Sequence, residues 1–298
     1  PVQVFSNKIE LTIAEDNLKM LASFPGVLYI APIDKAPVSE GITGRTAMRS
    51  NGLYWGVDSP LIDGAGVYLA IADDGTVSHQ DVKGRIFPYT SLNTGSHGEM
   101  TVGLAIGAGN IHPLGTGMAP GAGLHLYHIN NYPHISGAAE NFQQRGVVIT
   151  STSYGEGCGG VYTAAARDLD MQALTLRHVL HIFSAGNSGL QACGIYGSLG
   201  YHYGAIYGNI TGGRKASKHS IAVGNLYFND SLRINSSRGP LNDGILKPEL
   251  TAPGQGILSI GPDNTYQLAG GTSAAAPSVA GLAALLYQSF RLSNGGDN

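Results

Sequence analysis

From residue 65 onward, short apolar runs alternate with longer segments of helical spacing. Apolar runs occupy 67–72, 124–129, 147–153, 179–184 and 221–226, and helical segments occupy 99–106, 137–145, 162–177 and 273–290. Nearly continuous apolar strands separated by helices are typical of a parallel sheet that is covered on both faces. The sequence therefore predicts an α/β fold with a doubly wound, mostly parallel sheet and helices on both faces.

The pattern before residue 65 is different and predicts a separate N-terminal region. Residues 1–35 alternate like strand at 2–5 and 10–13, have helical spacing at 15–24 and return to strand-like composition at 26–30. We expect a small β-α-β unit there, then a loop-rich linker over 36–63 that is rich in glycine and proline, and a main domain over 64–298.

Composition excludes several classes of function. Charged residues make up 12% of the chain and its net charge is −3, so no basic surface for nucleic acid is expected. The longest apolar runs fall short of 18 residues, so we expect no membrane span. We also expect a monomer.

A serine stands at the start of the last helical segment. Gly270 and Gly271 precede Thr272-Ser273, and small apolar residues follow. A helix start presents unpaired N–H groups and the positive end of the helix dipole. Ser273 could be a helix N-cap, or it could be a nucleophile for acyl transfer, because both roles suit this position.

Three more polar residues follow elements of the predicted sheet. Asp73 comes after the first strand, His97 opens a helix, and Asn187 lies between glycines after the fourth strand. Each has an ordinary structural explanation, in a turn or at a helix start. Taken together with Ser273, they supply the nucleophile, base, orienting carboxylate and oxyanion donor of acyl transfer.

Four segments of the chain together resemble the subtilisin-like serine peptidases, the subtilases, most closely their secreted bacterial members. They are Asp73-Asp74-Gly75, His97-Gly98, the stretch from Ser184 to Gly189, and the stretch from Gly271 to Pro277. The resemblance covers roughly residues 64–290. It implies a serine endopeptidase with Ser273 as nucleophile, His97 as general base, Asp73 as its orienting carboxylate and Asn187 in the oxyanion hole.

The resemblance also implies where peptide or protein substrates bind. An extended peptide would add as a strand beside Ser153-Tyr154-Gly155, and Ser184-Ala185-Gly186 would form the second wall of the primary pocket. Residues 1–35 resemble the closing half of a subtilase propeptide, which inhibits the mature site, and they could equally be an N-terminal extension. The pattern departs from the family at Glu99 and Met100, where a threonine and a second histidine are usual.

Cys158 and Cys193 follow the two predicted walls. They could form a disulfide across the rim of the pocket or remain two buried thiols. Low charge and a disulfide would suit an oxidising setting, so we expect a secreted or extracellular protein, including a bacterial surface or periplasmic one.

No cofactor is expected for the chemistry. Structural calcium is frequent in the resembled family, and Asp58, Asp63 and Asp263 are candidate ligands that no motif singles out. His125, His128 and His134 are close in sequence, but no carboxylate motif accompanies them, so a metal site is disfavoured there.

Two other functions are alternatives to that of a serine endopeptidase. The chain could be a catalytically silent peptide-binding pseudoprotease, although all four catalytic residue types are present. An α/β-hydrolase esterase is disfavoured, because the chain has no Gly-x-Ser-x-Gly segment.

Overall fold

The computed structural model describes residues 2–5, 8–11, 13–28, 30, 44–55, 61–75, 77–88, 95–130, 132–193 and 206–295. The chain divides into two compact units, residues 1–40 and residues 41–298. Within the described ranges, no helix combines the length and apolar character needed to cross a bilayer.

The N-terminal unit contains a β-hairpin. Strand β1 (Val2–Phe5) pairs antiparallel with β2 (Lys8–Leu11), and a 3-10 turn and helix α1 (Leu18–Ala22) follow. The expected β-α-β order is wrong, because residues 26–28 and 30 form no strand. The predicted strand is replaced at its start by a turn, which a hydrogen bond from Val27 N–H to the Phe24 carbonyl (3.0 Å) closes. Tyr29 lies outside the described residues.

The main unit contains a seven-stranded sheet in the order β4-β5-β3-β6-β7-β8-β9, with every pair of neighbours parallel. Its strands are β3 (Tyr68–Asp73), β4 (Ile86–Pro88), β5 (Gly123–His128), β6 (Val147–Thr152), β7 (Leu180–Ser184), β8 (Ser220–Leu226) and β9 (Leu250–Pro253). A separate antiparallel pair consists of β10 (Gln255–Ile260) and β11 (Tyr266–Gly270). The predicted doubly wound α/β fold is confirmed.

Seven further helices lie in the described part of the main unit. They are α2 (Gly44–Ala47), α3 (Asn51–Trp55), α4 (His97–Ile106), α5 (Pro133–Ser136), α6 (Ala138–Arg145), α7 (Ala164–Thr175) and α8 (Thr272–Ser293). Short 3-10 helices lie at Gln80–Val82, Pro113–Gly115, Arg214–Ala216 and Pro262–Asn264. Helices α2 and α3 fall where the sequence predicted only a linker, and Met48 and Leu53 pack against the core, which explains why these turns are ordered.

Helices α4 and α8 form the centre of the main unit. They pack against each other, and α8 also packs against β6, β7 and β8. Small residues permit this close approach: a Cβ at Gly281 would lie 2.6 Å from the Met118 Cβ and 2.7 Å from the Ala105 carbonyl oxygen. The two helices are thereby held closely together.

Strand register decides which residues share an edge of the sheet. Ala72 of β3 is opposite Thr152 of β6, and Thr152 is opposite Phe183 of β7. The residues that follow these positions, Asp73, Ser153 and Ser184, therefore leave the sheet at the same level. In parallel sheets, ligand sites form at this carboxyl edge.

Candidate active site

The carboxylate of Asp73, at the end of β3, is fully buried and accepts three hydrogen bonds. Its Oδ1 is 2.7 Å from His97 Nδ1 and accepts the Asp74 N–H (2.9 Å), and its Oδ2 accepts the Thr101 hydroxyl (3.0 Å). Because a carboxylate can only accept here, His97 carries its proton on Nδ1. Nε2 of His97 is then the nitrogen that can take a proton from another group.

Close packing fixes the start of α4 against the end of β3. Gly98 N–H donates to Asp74 Oδ1 (3.0 Å), and a Cβ at Gly98 would lie 2.1 Å from the Asp74 carbonyl oxygen. Only glycine allows this approach, so the His97-Gly98 pair places the imidazole beside Asp73. Thr101, one helical turn after His97, then reaches the same carboxylate from the same face of the helix.

Opposing effects act on the pKa of His97. Burial of the imidazole lowers the pKa, whereas the hydrogen bond and negative charge of Asp73, together with the charge of Asp74, raise it. The raising effects prevail, so the pKa of His97 lies above its ordinary value. His97 is therefore a stronger base than a free imidazole.

Ser273 lies in the first turn of α8 and forms a reciprocal pair with Ser153. The Ser273 hydroxyl donates to the Ser153 carbonyl (3.1 Å), and the Ser153 hydroxyl donates to the Ser273 carbonyl (3.1 Å). Pro277 explains the second bond: it has no N–H, so the carbonyl four residues earlier, that of Ser273, lacks its usual helical donor. Among the described residues, no hydrogen bond joins Ser273 to His97.

Thr272 fixes the orientation of the Asn187 amide. Asn187 Oδ1 accepts the backbone N–H of Thr272 (3.0 Å) and the Thr272 hydroxyl (3.1 Å). Gly271 makes room for this contact, since its φ is +89° and a Cβ there would lie 3.0 Å from Asn187 Nδ2. With Oδ1 occupied, the amide presents its Nδ2 hydrogens as donors beside the start of α8.

The two predicted substrate-binding walls lie on neighbouring strands. Ser153, Tyr154 and Gly155 follow β6, whereas Ser184 ends β7 and Ala185 and Gly186 follow it, and the two strands pair directly. A disulfide between Cys158 and Cys193 joins the loops beyond them, with Cα atoms 5.9 Å apart. The alternative of two free thiols is wrong.

Glu99 and Met100, which depart from the resembled pattern, are both buried. Met100 packs with Leu104 and Ile257 in a small apolar cluster. Glu99 is 3% exposed and its Oε2 has no partner among the described residues. Burial, and then the negative charges of Asp263 and Asp74, raise the pKa of Glu99 to about 7.

In the described part of the chain, neither Asp63 nor Asp263 belongs to a group of three possible metal ligands. Asp58 lies outside the described residues, and Asp63 uses its Oδ1 to accept the Ala65 N–H (2.9 Å). In the described part of the chain, the one group of three acidic or histidine side chains close enough to share an ion is Asp73, Asp74 and His97. Calcium binding therefore stays a prediction without assigned ligands.

The three neighbouring histidines have separate partners. His134 Nε2 contacts the Thr152 hydroxyl (2.6 Å), His128 Nδ1 accepts the Asn130 N–H (3.3 Å), and His125 stacks on Phe87. They form no metal-binding group within the described ranges.

Sequence reasoning assigned no role to four residues that shape the site. Thr101, Thr272 and Pro277 stand next to or one turn from predicted site residues, so their positions in the sequence carried a signal. Lys215 carried none, because it lies in a 3-10 helix far along the chain from either wall and reaches them only through folding.

Comparison with known proteins gives consistent matches. The model of the subtilase family matches residues 64–294. Subtilisin DY of Bacillus licheniformis is 30% identical over 240 residues, which cover 76% of this chain and 78% of that protein. Alkaline elastase YaB of Bacillus sp. (strain YaB) is 30% identical over 239 residues, covering 76% of this chain; the chain spans about half, 55%, of its length.

The fold also matches solved structures. The Clostridium perfringens CspB protease superimposes with a TM-score of 0.65 at 16% identity, covering 79% of this chain and 86% of that one. At this identity the likeness concerns the fold alone.

Proposed function

Since the chain belongs to the subtilase family of serine endopeptidases, we propose that it cleaves peptide bonds through an acyl-enzyme on Ser273. In this mechanism the Ser273 oxygen attacks the carbonyl carbon of the scissile bond, and His97 Nε2 accepts the hydroxyl proton. His97 then gives that proton to the departing amine as the C–N bond breaks. Water, activated by the same imidazole, hydrolyses the ester.

The observation that carries this proposal is the 2.7 Å contact between His97 Nδ1 and the buried Asp73 carboxylate. It leaves Nε2 as the basic nitrogen and stabilises the imidazolium that forms during attack. The Ser273 hydroxyl must leave the Ser153 carbonyl to reach this base. A change between staggered side-chain rotamers is sufficient to redirect a serine hydroxyl.

Two donors are proposed for the oxyanion. Asn187 Nδ2 is one, because Thr272 occupies its Oδ1. The backbone N–H of Ser273 is the other, because an N–H in the first turn of a helix has no helical acceptor.

The test of this function is covalent labelling with a fluorophosphonate, which reacts with activated serine hydroxyls. We expect one adduct on the folded protein, and peptide mapping by mass spectrometry should place it on Ser273. The same protein labelled after unfolding in denaturant is the control and should not react. Absence of any adduct on folded protein would favour the silent peptide-binding alternative.

Asn187→Ala should lower kcat by on the order of 10² to 10³ with little change in KM, because the oxyanion donor acts mainly in the transition state. Steady-state kinetics on a peptide substrate measures both constants. Asn229→Ala, at an exposed asparagine in a turn, is a matched control. An unchanged kcat in Asn187→Ala would remove this residue from the mechanism.

We further propose that peptide substrates add as a strand beside residues 153–155 and that the enzyme acts outside the cell. The Cys158–Cys193 disulfide supports the extracellular setting, because such bonds persist in oxidising compartments. Residues 1–35 are proposed to be a remnant of an inhibitory propeptide, which suits their place in a compact unit of their own.

A further inference from the structure

Lys215 is a buried amine at the end of the two proposed substrate-binding walls. It lies in the 3-10 helix Arg214–Ala216 and is 2% exposed. Its ammonium donates to the Thr211 hydroxyl (2.8 Å) and contacts the Ser184 hydroxyl at 3.4 Å. Ser184 belongs to one wall, so the charge lies directly against it.

The Lys215 side chain also lies against the other wall, at Gly155. A Cβ at Gly155 would lie 2.8 Å from Lys215 Nζ and 3.0 Å from Thr211 Oγ1. Gly155 itself is exposed, so Nζ lies directly beneath a surface residue of this wall. On the second wall, a Cβ at Gly186 would lie 2.3 Å from Thr211 Oγ1. Thr211 and Lys215 therefore close the space between the two glycines.

No carboxylate neutralises this ammonium within the described part of the chain. Its hydrogen-bond partners there are neutral hydroxyls, and no acidic oxygen lies within 4.0 Å. Glu156 acts on Lys215 from a distance, but its carboxylate is paired with Arg214 (3.1 Å). Burial lowers the pKa of Lys215 to about 7, which reflects the cost of holding this charge away from water.

A second buried lysine shows how this chain satisfies a structural ammonium. Lys247 donates to the carbonyls of Ser217 (2.7 Å) and Ser220 (3.0 Å) and forms an ion pair with Glu249. All three of its N–H groups thus have acceptors, one of them a carboxylate. Lys215 has two hydroxyl partners and lacks the carboxylate. Holding a buried ammonium charged without a carboxylate is costly, so this site favours an acidic partner supplied from outside the chain.

We propose that Lys215 selects substrates with glutamate or aspartate immediately before the scissile bond. The inference rests on the proposed function, since that residue's side chain enters between residues 153–155 and 184–186. Its carboxylate would complete the coordination of the Lys215 ammonium. The substrate class is therefore polypeptides cleaved after acidic residues.

The experiment compares kcat/KM for peptides that are identical except at this position, with glutamate, glutamine, aspartate, asparagine, lysine or leucine. A charged hydrogen bond corresponds to a preference of about 10- to 100-fold for glutamate over glutamine. Lys215→Met should reduce that ratio to near one, and Lys218→Gln, at an exposed lysine nearby, should leave it unchanged. Lys215→Gln, which can still bond to Thr211, serves as the second variant should the methionine variant fail to fold.

Equal turnover of the glutamate and glutamine peptides, or a preference for lysine or leucine, would overturn the proposal. If Lys215→Gln kept the wild-type preference for glutamate over glutamine, the proposal would also be overturned. Fluorophosphonate labelling without acidic preference refutes this inference alone, whereas absence of labelling refutes the proposed catalysis. In that second case, the affinity of Ser273→Ala for the same peptides is measured. Tighter binding of the glutamate peptide than of the glutamine peptide supports selection by Lys215, and equal binding excludes it.

Discussion

Ser273→Ala is expected to lower kcat by on the order of 10⁶, the cost of removing the nucleophile from a Ser–His–Asp triad. The alanine variant keeps the proposed oxyanion donors and the proposed substrate-binding walls, so KM should change little. The measurement is release of a chromogenic group from a peptide substrate, with enzyme concentration raised until residual turnover is visible.

Loss of activity must be separated from loss of the fold. Ser273 also holds Ser153 through two hydrogen bonds, and alanine removes the one that its own hydroxyl donates. Ser278→Ala is the matched control, because Ser278 lies buried in the same helix and its hydroxyl bonds to the Ala274 carbonyl. Similar melting temperatures with activity lost only in Ser273→Ala are expected. A Ser273→Ala enzyme with wild-type kcat would exclude the acyl-enzyme mechanism.

The sheet was predictable because its central strands are buried on both faces. All six residues of β6 are buried, and the strand opens on the apolar run Val147-Val148-Ile149. The edge strand β4 has three residues and β9 begins with two exposed ones, so neither produces a strong pattern. The helical turns at 44–55 were missed because short elements stabilised by packing carry little periodicity.

The proposed catalytic residues were predictable in type and order, but their contacts were not. Asp73 and His97 each follow or open a regular element, which placed them at one edge of the sheet. The hydrogen bond of Ser273 to the Ser153 carbonyl depends on side-chain rotamers, which sequence does not specify. The position of Lys215 depends on contacts of its side chain with Thr211 and with Ser184, which is 31 residues away. Local sequence patterns cannot reveal such a long-range arrangement.

Asp73→Asn should lower kcat by on the order of 10⁴, although the side chain keeps nearly the same shape. An asparagine amide can turn its NH₂ toward His97, and this group cannot accept the hydrogen bond that Nδ1–H donates in wild type. His97 would then carry its proton on Nε2 and could not accept one from Ser273. The amide also loses the charge that stabilises the imidazolium.

The pH profile of the residual activity separates this role from a purely structural one. Asp73 raises the pKa of His97 against the lowering effect of burial. In wild type the acidic limb of kcat/KM should therefore lie above the ordinary histidine value, because only neutral imidazole accepts a proton. In Asp73→Asn burial prevails and the limb should move to lower pH, whereas Asp168→Asn, an exposed site on α7, should leave it in place. An acidic limb that stays at the wild-type pH in Asp73→Asn would mean that this carboxylate does not set the basicity of His97.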